Sequence, residues 1–129
     1  MPAGEAFTFD QRRGIERARQ DASQVSELSF HIFVGAVGDD PRVAAARAQA
    51  ELPTPQTAVL VLVDPPARAL EIVTGPEARH VLDDSACSLV ALSMQTSFAA
   101  GDLAGGIIHG LHQLGDHARR PESLHTAEH

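Results

Sequence analysis

Apolar and polar positions along this chain change period several times, and each change marks an element. Thr8 and Gln11 have the spacing of a capping box, and Ile15, Ala18, Ala22 and Val25 then recur at helical spacing. This predicts a helix from Thr8 to about Leu28, with Arg12, Glu16, Arg19 and Gln20 on its outer face. From Phe30 to Val37 the period becomes two. Phe30, Ile32, Val34 and Ala36 fall on one face, and His31, Phe33, Gly35 and Val37 on the other. Both faces are mostly apolar, which predicts an interior strand covered by helices on both sides. Gly38-Asp39-Asp40-Pro41 breaks the chain, with Asp40 as an N-cap and Pro41 in the first turn of an alanine-rich helix to about Leu52.

Ala58 to Val63 reads as a second buried strand and Arg68 to Thr74 as a third. The link Asp64-Pro65-Pro66-Ala67 is short enough only for an antiparallel hairpin. The helix between the first two strands makes them a parallel pair with a right-handed crossover. Gly75-Pro76-Glu77 opens a short helix to about Leu82, and Asp83-Asp84 caps a helix to about Phe98. Gly101-Asp102 starts a last helix to about Arg119, with Leu103, Ile107, Leu111 and Leu114 on one stripe. The order predicts an α/β fold: a three-layer helix–sheet–helix sandwich with a small mixed sheet. One domain is expected over residues 5–120, followed by a flexible polar tail over 121–129.

Charge narrows the function classes. Ten basic residues, all arginine, stand against seventeen acids, a formal charge of −7. That balance argues against a nucleic-acid binder and a polybasic membrane binder. The apolar run Ala58 to Val63 is far too short to span a bilayer, so no membrane insertion is expected. No secretory signal is read near Glu5, and Cys87 is the lone cysteine, which together point to a cytoplasmic location.

The candidate chemistry is acidic. Asp39 and Asp40 follow the first strand, and Asp64 ends the second. If those strands are parallel, all three sit at the carboxyl edge where open α/β sheets bind ligands. Carboxylates there suit Ca2+ or Mg2+. The plainer reading makes Asp40 a cap, Asp39 solvated and Asp64 a turn residue. Arg68, across the hairpin, is a candidate to pair with Asp64 or to bind an anion. Asp83, Asp84 and Asp102 read as helix caps, with Asp102 also a candidate ligand-binding residue of the acidic site. His109, His112 and Asp116 share a helical face and have donor types for zinc, but they lie opposite the apolar stripe. His31 and His80 read as structural, and Cys87 as a small core residue. No serine lies in a G-x-S-x-G elbow, and there is no P-loop. Gly101, Gly105, Gly106 and Gly110 include two GxxxG spacings, which predict close packing inside the domain or a homodimer contact through the last helix.

Three stretches together resemble the TPM domain, a small helix–sheet–helix family, and within it a small actinobacterial branch of uncharacterised proteins. They are Ala58 to Asp64 with Arg68 and Glu71 to Gly75; Leu82-Asp83-Asp84; and Phe98 to Asp102 followed by Gly106-Ile107 and Gly110-Leu111. The resemblance implies a sheet packed between helices and, in some members, calcium held by acidic loop residues. It also implies an association with membrane-complex maintenance, and an acid phosphatase activity proposed for a plant relative. The expectation is a non-enzymatic module that binds a partner protein, with a divalent cation at the acidic edge. The alternative is a metal-assisted phosphatase.

Overall fold

Helix α1 (Phe9–Ser26) begins where the chain supplies its own cap. The Thr8 hydroxyl accepts the Gln11 N–H at 3.0 Å, and the Gln11 side chain accepts the Thr8 N–H at 2.8 Å. It ends short of Leu28 because Glu27 turns left-handed at φ 65° and donates its N–H to the Ser23 carbonyl. In this computed structural model residues 7–119 are described; the tail expected over 121–129 lies outside them. Strand β1 (Ser29–Val34) stops before the expected Val37. Helix α2 (Pro41–Ala50) starts as its sequence dictates, with Pro41 in the first turn and the Asp40 carboxylate accepting the N–H groups of Arg42 and Val43. A 3-10 turn (Pro55–Thr57) leads into β2 (Ala58–Asp64), and β3 (Ala69–Thr74) follows the hairpin. The helix expected over 75–82 is only a 3-10 turn, Ala78–His80. Helices α3 (Asp84–Ala99) and α4 (Leu103–His117) complete the domain.

The sheet order is β1-β2-β3. β1 and β2 run parallel, with Phe30 opposite Val59 and Val34 opposite Val63. β2 and β3 run antiparallel, with Asp64 opposite Ala69. Every residue of β2 is buried. β1, expected in the interior, is instead an edge strand. Two apolar faces report what lies above and below a strand, whereas edge or interior depends on what lies beside it. Its second face is also only partly covered: His31 is half-buried and Phe33 is 42% exposed.

The helical layers are unequal. Phe30, Val34, Val59, Val61 and Val63 face α1, α3 and α4. Leu60 and Leu62 face α2 through Ala45, with Val37, Ala48, Leu52 and Val73 around them. α4 packs against both α1 and α3, and its glycines permit the close approach. A Cβ on Gly115 would stand 2.9 Å from the Ala22 Cα, and one on Gly106 would stand 2.6 Å from the Phe98 ring. Gly110 meets Met94 in the same way. Gly106, Gly110 and Gly115 are thus covered within the chain, whereas Gly105 meets only the Asp102 cap and Gly101 has nothing within 4 Å.

Candidate functional site

Parallel pairing does bring the ends of β1 and β2 to one edge, and Asp64 lies there, only 4% exposed. Its Oδ2 accepts the Val37 N–H and its Oδ1 accepts the Ala67 N–H, each at 3.2 Å. One buried carboxylate thus ties the loop after β1 to the hairpin turn, in the way a buried polar group must be satisfied. Asp40 spends one oxygen on the α2 cap. Asp39 is exposed and accepts the Asp40 N–H at 2.8 Å. Arg68 is not the first residue of β3, as the sequence suggested, but the last residue of the turn. It is exposed, left-handed at φ 53°, and donates its N–H to the Pro65 carbonyl. No ion pair joins Arg68 to Asp64 among the described residues.

The acids therefore share an edge without forming a cradle. Among the described residues no group of three or more His, Cys, Asp and Glu is arranged to hold a metal ion. Asp64 points both oxygens at backbone N–H groups, so Asp39, Asp40 and Asp64 do not fit Ca2+ or Mg2+, which need several converging oxygens. Asp102 accepts the Gly105 N–H at 2.9 Å and caps α4, and Asp83 accepts the Ala86 N–H at 2.9 Å and caps α3. His109, His112 and Asp116 lie on the exposed face of α4, where Asp116 pairs with Arg119 at 3.0 Å. The Cys87 thiol is pushed up to about 11, by burial first and then by Asp84 and Asp83. At neutral pH it is a protonated core thiol, not a nucleophile.

Two surfaces stand out that periodicity did not single out. The first is a groove of about 590 Å³ beside β1, lined by Phe7, Ile15, Phe33 and Leu52, with Arg12, Glu16 and Arg19 among its polar residues. Arg19 crosses the end of the groove. Its Nη1 donates to the Phe30 carbonyl at 3.1 Å and its Nε to Glu16 Oε1 at 2.9 Å. These bonds hold the Glu16 carboxyl below its ordinary range. His31 is also held below its ordinary value, by partial burial first and then by the Arg19 charge. The second is the outer face of α3, where Leu89 is 62% and Leu92 63% exposed. No charged residue occurs between Asp84 and Asp102. A further residue passed over in the sequence is Gln49, whose buried amide donates to the carbonyls of Pro55 and Ala58 at 2.8 and 3.0 Å. Its spacing of four from Ala45 places it on the inward stripe of α2, which is the signal that finds it.

Four helices around a mixed three-stranded sheet define a small α/β domain. The fold is shared with the BA42 protein from the psychrophilic bacterium Bizionia argentinensis, at a TM-score of 0.77 and 17% identity, covering 90% of this chain and 83% of that one. It is also shared with the N-terminal domain of the cg2496 protein from Corynebacterium glutamicum, at 0.75 and 15%, covering 91% and 77%. Residues 2–115 match the family described as "Domain of unknown function (DUF5130)", and the chain belongs to that family. The uncharacterized protein Rv2468c of Mycobacterium tuberculosis is 31% identical over 100 residues, covering 78% of this chain and 60% of that protein. Its counterpart in a second strain is equally similar. The chain thus spans about 60% of the length of the curated relatives it matches. No helix among the described residues is long and apolar enough to cross a membrane.

Proposed function

We propose that this DUF5130 domain is a non-enzymatic protein-interaction module and that the outer face of α3 is its contact surface. The observation that carries this reading is the exposure of Leu89 and Leu92 on a helix face without a single charge, on a chain of net charge −7. Two exposed leucines one helical turn apart, among uncharged polar residues, have the chemistry of a small interaction site. A protonated thiol in the core and an Asp64 engaged by backbone N–H groups support binding over catalysis. The lone core cysteine also supports a cytoplasmic location. A photo-cross-linking residue placed at Leu92 is expected to give a discrete protein adduct in cells, and one at the exposed Arg68 none. Leu89→Asp with Leu92→Asp should abolish a binding partner's capture while leaving stability within about 0.5 kcal/mol, as for ordinary surface changes. Identical adduct patterns at the two positions would contradict the assignment.

We further infer that DUF5130 is a branch of the TPM architecture. Its support is the ordered set of the β2–β3 hairpin, Leu82 to Asp84, and Phe98 to Asp102 with Gly106 and Gly110. The relatives from Mycobacterium tuberculosis support placing it in an actinobacterial group. The metal-assisted phosphatase has weaker support, because the acidic edge does not converge on a cation. A melt of the chelator-stripped protein with Ca2+ or Mg2+ tests it. An ion at a hundred times its dissociation constant adds about 2.7 kcal/mol, and a shift lost in Asp64→Asn would restore that reading.

A further inference from the structure

We infer that the free edge of β3 is a strand-addition site for an extended segment of a partner protein, one that carries a basic residue between two apolar ones. The inference rests on the reading of this domain as a protein-interaction module, and it adds a second contact to the outer face of α3.

The topology leaves β3 with one strand beside it, β2, while α2 and α3 cover its two faces. Hydrogen-bond parity shows which residues look away from β2. Gly75 donates its N–H to the Ala58 carbonyl at 3.0 Å. In the antiparallel register the alternate residues back from Gly75, which are Val73, Glu71 and Ala69, therefore turn their backbone groups to β2. Leu70, Ile72 and Thr74 turn theirs outward. The Thr74 carbonyl accepts Arg79 Nη2 at 2.7 Å, which closes that end. No hydrogen bond among the described residues meets the outward N–H and C=O groups of Leu70 and Ile72. Every residue from Ala69 to Val73 is only half-buried, whereas β2 is buried along its whole length.

Glu71 specifies the occupant. It stands between Leu70 and Ile72, and its carboxylate has no ion pair or hydrogen bond among the described residues. Of the nearby arginines, Arg79 is engaged by Thr74, and Arg68 lies outside the strand in the left-handed turn. A segment hydrogen-bonded to Leu70 and Ile72 sets one of its residues directly opposite Glu71, in the closely spaced kind of pair. An opposite charge is favourable in such a pair and a like charge unfavourable. The residues on either side of that one fall on the face of Leu70 and Ile72, which pack against the α3 side of the core, so they are apolar. Main-chain bonds then give affinity and alternate side chains give specificity. A second copy of β3 does not fit. Antiparallel pairing through Leu70 and Ile72 sets Glu71 against Glu71. Sliding it by one pair calls on Thr74, already taken by Arg79, or on Arg68, outside the strand. Charge on an edge strand guards against self-pairing, and here it selects a strand of the opposite sign. α3 packs on α4 and β3 as α1 packs on α4 and β1, so α3 and β3 are the outermost members of their layers on one side. A partner held on α3 thus has this edge beside it, and the paired stretch stops short of Arg68.

The test is selection of displayed random heptapeptides against the purified full chain, followed by fluorescence polarisation with a selected peptide. The expected peptides carry Lys or Arg between two apolar residues. Glu71→Lys should weaken their binding by at least about tenfold and, used as the bait, should select peptides with Asp or Glu in that place. Glu71→Gln keeps the size of the side chain and should give a smaller loss, which serves if the lysine variant does not fold. Methylation of the peptide amides that face β3 should abolish binding, whereas methylation of the alternate amides should not. The Leu70 and Ile72 amide protons should gain protection on binding, and Leu89→Asp should leave the affinity unchanged. Peptides that bind both Glu71 variants as tightly as the parent, or that protect neither amide, overturn the strand-addition site. Peptides lost instead in Leu89→Asp overturn it too but preserve the α3 reading. Recovery of no peptide overturns the inference, while the cross-linking result at Leu92 separately decides the broader reading.

Discussion

On one side of the sheet three helices meet Phe30, Val34, Val59, Val61 and Val63; on the other, α2 alone meets Leu60 and Leu62. The first side includes residues from all three strands and from α1, α3 and α4 in one continuous cluster. The second is a small cluster whose cover ends before β1, where Phe33 remains exposed. The difference separates two tasks. Stability is concentrated where α4 sits between α1 and α3, and the Phe33 side chain is left exposed where the single-helix cover runs out.

Substitutions in the two clusters measure that difference directly. Leu111→Ala, in the three-helix side, is expected to cost about 2–5 kcal/mol in chemical denaturation. Leu62→Ala should fall at the low end of the same range, because the thinner layer can settle onto the cavity. A larger loss for Leu62 than for Leu111 would reverse the comparison. The helix contact that builds the thick side is probed by Gly115→Ala. Its new Cβ would press on the Ala22 backbone at 2.9 Å, which cannot swing aside, and overpacking of this kind costs about 1–3 kcal/mol. Gly110→Ala should cost less, since Met94 is flexible enough to yield.

Asp64→Asn examines the seam between the layers. It sets an amide N–H against a backbone N–H, whichever way the side chain turns, and should cost about 1–3 kcal/mol. The same variant should melt identically with and without Ca2+. Cys87 reports the dryness of the thick side. With its thiol pushed to about 11 rather than 9.0, the thiolate fraction at pH 8 is about a hundredfold lower. A disulfide reagent should therefore react slowly with the folded chain and rapidly in denaturant.

The smallest effect belongs to His31 on the thin side. Its imidazole is held below the ordinary 6.5, so the unfolded chain takes up the proton before the folded chain does. Stability should accordingly fall as pH drops below about 6.5. His31→Gln should remove that part of the slope, checked by melting between pH 7 and 5. An unchanged slope would mean that the imidazole is as solvated folded as unfolded.

Much of the architecture was readable from local signals because their causes are local. Thr8 with Gln11, and Asp40 with Pro41, set helix starts through caps that involve only neighbouring residues. The four-residue link after β2 dictated the hairpin, and the α2 crossover dictated the parallel pair. Gly106 and Gly110 announced close packing, and the structure supplies Phe98 and Met94 as their partners; Gly101 and Gly105 meet no other element, and Gly115, which packs on Ala22, was not singled out by any spacing. The edge position of β1 was hidden because side-chain period carries no count of neighbouring strands. Arg68 was misplaced because the turn extends one residue further through a left-handed conformation that its side chain does not advertise. The shared edge of Asp39, Asp40 and Asp64 followed from topology. The use of the Asp64 oxygens did not, since it depends on the path of the loop that brings Val37 over it. Leu89 and Leu92 fell off the inward stripe of Cys87, Val90 and Met94, a second apolar face visible on a helical wheel of α3.

Native-state amide exchange along β1 tests the central claim most directly. The account predicts that His31 and Phe33, whose N–H groups face β2, are protected, while Ile32, half-buried and with no hydrogen-bond partner for its N–H among the described residues, exchanges faster by on the order of a hundredfold. Equal protection of all three amides would show that β1 is covered as fully on the α2 side as on the other, and would contradict the unequal layers.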